Sequence, residues 1–196
     1  MISSPIDRSQ LSRDGSRRLV YAALMTALSV VLPAAFHLVP GVGTYLSPIH
    51  LPSLFCGLVA GPLYGALCGV AGPLLSSVIT GMPPAAYLPP MMVECAVYGF
   101  VAGLGMKVIR TGRTTPDIVL SLLAAQVLGR LAAGGFKAFF LTVDGFTFRV
   151  FLSSYFVSTW PAIILQLAIL PTLFLLLCRV RLLPHRYPKS EKVISP

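Results

Sequence analysis

Three charged side chains stand inside stretches that are otherwise apolar: Glu94, Arg130 and Lys137. A charge in hydrocarbon is costly, so each needs a partner, water or a ligand, and such residues usually mark function. Arg130 and Lys137 are seven residues apart, which puts both on one face of a helix. A single carboxylate can neutralise one of these cations and leaves the other unmatched. An unmatched cation in a cavity open to the outside suits an anionic or carboxylate-bearing ligand. The plainer alternative is a structural Glu94–Arg130 pair, with Lys137 extending to the membrane surface. The ligand reading is preferred, because intramembrane charges are more often functional than structural.

Other residue types point less sharply. Trp160 and Tyr155 fall near the outer start of the last apolar segment. An interfacial aromatic belt is the default there, and stacking on a ligand ring is the sharper alternative. His37 and His50 flank an uncharged stretch, with no Cys, Asp or Glu nearby to complete a metal-ligand set. They read as loop or interface residues, and no metal or cofactor is expected. Cys56, Cys68, Cys95 and Cys178 form no C-x-x-C pair and lie in apolar segments, so buried free thiols are expected. Metalloprotease, serine-hydrolase and nucleotide-binding motifs are absent from the sequence. Glu94 is the only acid deep in a span, which argues against paired-aspartate chemistry.

The elements that position these residues follow from composition. Of 196 residues, 56% are hydrophobic and only 11% charged, with mean hydropathy +0.83. A soluble domain carries roughly 25% charged residues, so the solvent for this chain is lipid. The apolar segments predict six spans: about Arg17 to Phe36, Pro48 to Gly61, Leu63 to Thr80, Pro89 to Ile109, Asp117 to Leu141 and Phe151 to Cys178. The second is short for a full crossing. A polar segment, 1–16, precedes the membrane domain 17–181 as a loose tail, and 182–196 follows as a second tail. Twelve of the 15 basic residues flank the apolar segments: Arg8, Arg13, Arg17 and Arg18 at the amino end, Lys107, Arg110 and Arg113 in one loop, and the five from Arg179 to Lys192 at the carboxyl end. The positive-inside rule therefore places both ends in the cytoplasm, and it explains the net charge of +9 better than nucleic-acid binding does.

Small residues recur at four-residue spacing, at Gly57, Gly61, Gly65 and Gly69, at Gly99 and Gly103, and at Ala23 and Ala27. Such spacing lets helix backbones approach closely in lipid. Packing inside the bundle explains the glycines. For Ala23 and Ala27, docking onto another membrane subunit is an equal alternative.

The stretch SPIHLPSLFCGLVAGPLYGALCGVAGPLLSSVITG resembles the second and third helices of the substrate-binding S components of energy-coupling factor (ECF) vitamin transporters. GMPPAAYLPPMMVECAVYGFVAGL is similar to one branch of that family, and Ala23 and Ala27 match its A-x-x-x-A on helix one. The resemblance runs from Arg17 to Arg181 and implies an all-α S-component-like bundle in the plasma membrane of a prokaryote. It implies high-affinity capture of a vitamin or precursor from outside and no catalysis by the chain. It also implies docking through Ala23 and Ala27 onto a transmembrane coupling subunit, with energy from two partner ATPases. His37, Tyr45, His50, Met82 and Tyr87 then become gate-loop residues, and Glu94, Arg130, Lys137 and Trp160 become pocket candidates. The cation excess favours a carboxylate or phosphate ligand, with pantothenate as first candidate. A cobalamin-like ligand or a pyrimidine precursor stays open. A self-sufficient secondary transporter or channel is the rival reading, and an intramembrane enzyme the remote third.

Overall fold

A computed structural model describes residues 8–36, 47–140, 147–183 and 187. Within these the regular elements are helices: α1 (Arg8–Phe36), α2 (His50–Ala60), α3 (Pro62–Thr80), α4 (Leu88–Val108), α5 (Thr114–Phe140), α6 (Phe148–Leu152) and α7 (Trp160–Arg179), with a π-helical turn (Ser153–Val157) between the last two.

Five stretches are long and apolar enough to cross a bilayer: Gly15–Phe36, Pro62–Thr80, Leu88–Val108, Thr114–Phe140 and Arg149–Arg179. The second of the six expected spans is the exception. With 11 residues, α2 is about 16 Å long at 1.5 Å per residue, half of the roughly 30 Å that hydrocarbon requires. Two further boundaries differ from expectation. Helix α1 is already formed at Arg8, the first described residue, within the segment expected to be loose, and no proline interrupts it before Pro33. The last span is interrupted rather than continuous. The π turn and the residues Ser158 and Thr159 precede α7, whose first turn carries Pro161, a position where a missing N–H costs nothing.

Glycine sets how closely the helices meet. Gly61 ends α2 with φ of 97°, a conformation that L side chains rarely adopt, and Pro62 opens α3 immediately. Although this turn breaks the glycine series, both helices present it to α4. A Cβ on Gly57, Gly65 or Gly69 would fall under 3.0 Å from backbone atoms of Gly99 or Cys95. One on Gly103 would collide with the Gly61–Pro62 turn. The glycine spacing thus serves packing inside the bundle.

The core is made by Leu54, Phe55, Tyr98, Ile118, Leu122, Leu170 and Phe174 from α2, α4, α5 and α7. Large apolar side chains such as Leu63, Val78, Phe139 and Leu176 point outward, an arrangement suited to lipid. At the end of the bundle opposite the loops of α3–α4, buried Asp117 accepts hydrogen bonds through Oδ1 from the Thr111 N–H and hydroxyl (2.8 and 2.6 Å). Its Oδ2 accepts one from the Tyr187 hydroxyl at 2.8 Å. Tyr21 donates to the Leu182 carbonyl at 3.0 Å, so the segment after α7 is held at that end.

Candidate functional site

The site is built where α4 and α5 cross. Glu94 and Tyr98 are one turn apart on α4, and Arg130 faces them from α5. The Tyr98 hydroxyl donates to Glu94 Oε1 at 2.6 Å and accepts from Arg130 Nε at 3.1 Å. Arg130 Nε lies 4.0 Å from Glu94 Oε1. The phenol thus joins a carboxylate to a guanidinium, and all three side chains are buried. Gly129 makes this possible: a Cβ there would run into the Tyr98 ring. The edge of His50 meets Tyr98 with ring centroids 5.2 Å apart at 89°.

Lys137, two turns further along α5, makes no ion pair among the described residues. Its Nζ lies 5.1 Å from the Tyr155 ring centroid and 5.7 Å from that of Tyr87, within the range of cation–π attraction. The Arg130 guanidinium stands 5.5 Å from the Phe156 ring. Tyr155 and Phe156 both belong to the π turn, and wide turns of this kind recur at functional sites.

Between these groups lies a cavity of about 280 Å³, lined among others by Glu94, Arg130, Lys137, Ser154, Tyr155 and Thr159. A second cavity of about 400 Å³ is lined mainly by apolar residues, including Pro33, Ile49, Met82 and Pro83. His50, Tyr87 and Met91 line both. Gly81, in the left-handed conformation at φ of 72°, ends α3. Ser76 and Ser77 then donate to the carbonyls of Met82 and Pro83, each at 2.8 Å, and hold this rim.

The structure brings Glu94, Arg130 and Lys137 together. His50, Met82 and Tyr87 line the cavities beside them. Trp160 is not brought in: it is 58% exposed and absent from both linings. The break before α7 turns it outward, and its neighbour Thr159 takes the inward place. His37 and Tyr45 lie outside the described residues. On α1, Ala23 and Ala27 are exposed while Ala22 faces the core. Tyr98, Ser154 and Thr159 escaped the reading of the sequence. The four-residue spacing from Glu94 to Tyr98 could have signalled the first, but no pattern announces the π turn that carries Ser154.

These features define a multi-pass helical membrane protein with a charged cavity between its helices. Residues 17–180 match the family described as ECF transporter, substrate-specific component, and the chain belongs to that family. It is accordingly a substrate-specific membrane subunit of an ECF transporter, a transport component rather than an enzyme. No curated protein and no solved structure matches the chain.

Proposed function

We propose that the chain captures an anionic vitamin or vitamin precursor in the cavity between α4, α5 and the π turn, and delivers it to an energised import complex. The observation that carries this is the charge balance of that cavity. Glu94 is engaged by Arg130 and Tyr98, while Lys137 lines the cavity with aromatic rings and no described carboxylate against it. A carboxylate or phosphate on the ligand would complete the set. Pantothenate is the first candidate of this chemistry.

The cation-rich ends of the helices support an orientation with both termini in the cytoplasm of a prokaryotic cell, which would put the cavities on the outer side. The exposed Ala23 and Ala27 on α1 support docking onto a transmembrane coupling subunit, because small side chains let a partner helix approach closely. The sequence carries no nucleotide-binding loop, so two partner ATPases would supply the energy. Trp160 no longer belongs to the pocket under this reading.

Native mass spectrometry of the chain extracted from cells grown in rich medium tests the proposal. A copurifying small anion is expected, retained by the unaltered chain and lost from Lys137→Met. Solute flux through liposomes holding this chain alone would overturn it in favour of a self-sufficient transporter or channel.

A further inference from the structure

The two cavities adjoin, and His50, Tyr87 and Met91 belong to both linings. Their chemistry differs. The smaller holds the charged residues, and the larger is lined by prolines, Ile49 and methionines. Tyr87 faces both, and its ring lies 5.7 Å from Lys137 Nζ. Fully polar or fully apolar ligands would each leave one compartment unfilled.

We propose that the two cavities form one bipartite site for an elongated organic anion with two parts. Its anionic head sits against Lys137, and an apolar body passes Tyr87 and Met91 to fill the compartment beside Ile49 and Met82. The assignment rests on the substrate-binding reading above and narrows it to a ligand class. A small inorganic anion would leave the apolar volume empty, and a neutral apolar solute would leave Lys137 without a counter-charge.

The test uses the full chain in lipid nanodiscs and three probes. Hippurate has a carboxylate, a central amide and a phenyl ring. Hippuramide replaces the carboxylate with a neutral amide, and N-acetylglycine lacks the ring. Hippurate is expected to bind at least about tenfold more tightly than either. Lys137→Met should erase the preference over hippuramide and leave the preference over N-acetylglycine. Met82→Gln, in the apolar lining alone, should do the reverse. General loss of folding would weaken all three probes alike and leave their ratios unchanged, so the ratios report on the compartments. Equal binding of all three, no binding of any, or both variants altering the same ratio would overturn the bipartite site. The substrate-binding reading is judged separately, by whether a small anion copurifies with the unaltered chain.

Discussion

Tyr98 bonds a carboxylate and a guanidinium at once, and this separates two roles that the charges could otherwise share. Removing its hydroxyl in Tyr98→Phe keeps the ring against Gly129 but leaves both charged groups short of a partner. A destabilisation of about 1–3 kcal/mol is expected, measured by thermal unfolding in nanodiscs. Arg130→Ala goes further, because it strands Glu94 in the interior; loss of one partner of a buried pair costs roughly 3–5 kcal/mol. Lys137 differs in kind. It is partly exposed and outside the hydrogen-bonded trio, so Lys137→Met should stay within about 0.5 kcal/mol of the parent stability while weakening binding of the copurified anion. Equal stability losses for Lys137→Met and Arg130→Ala would contradict this division.

At the scale of elements, the crossing of α2 and α3 over α4 depends on atoms that are absent. Gly99→Ala places a methyl group against the backbone of Gly65, where no side chain can yield, and a loss of about 1–3 kcal/mol or more follows from overpacking. Gly135→Ala, where nothing lies within 4 Å, is the matched control and should be neutral or slightly stabilising, since alanine is the better helix former. Both are read from the thermal unfolding midpoint. The limits of α3, α4 and α5 were legible in the sequence because Gly61–Pro62, the Gly81 loop and the basic turn before Pro116 punctuate them. The trio of charges was legible too, since charge in an apolar run is conspicuous by its cost. What stayed hidden had no such cost attached. A tyrosine at position 98 reads as ordinary core, and a π turn differs from an α turn only in which carbonyl each N–H selects. That turn decides whether Trp160 or Thr159 points inward.

At the scale of the molecule, one flank is left uncovered. Helix α1 buries little of its apolar stretch, and Ala23 and Ala27 lie on its exposed side. If the proposed docking face is right, Ala23→Trp should abolish copurification with the ECF partner subunits while leaving ligand retention and unfolding midpoint unchanged. A simultaneous loss of ligand would mean that the residue serves the bundle itself. The half-height helix α2 has a different consequence. Its first residue, His50, stands level with Tyr98 in the middle of α4, and its last turn meets Gly103. The turns it lacks are those that would have occupied the space above His50, where the apolar cavity lies. Irregular backbone at this depth is tolerable only because it borders a chamber rather than lipid. The ligand's allowance of room is then a matter of where one helix begins. A chain of this build could accept a bulkier or slimmer guest by starting α2 a turn later or earlier, with every membrane-crossing helix left in place.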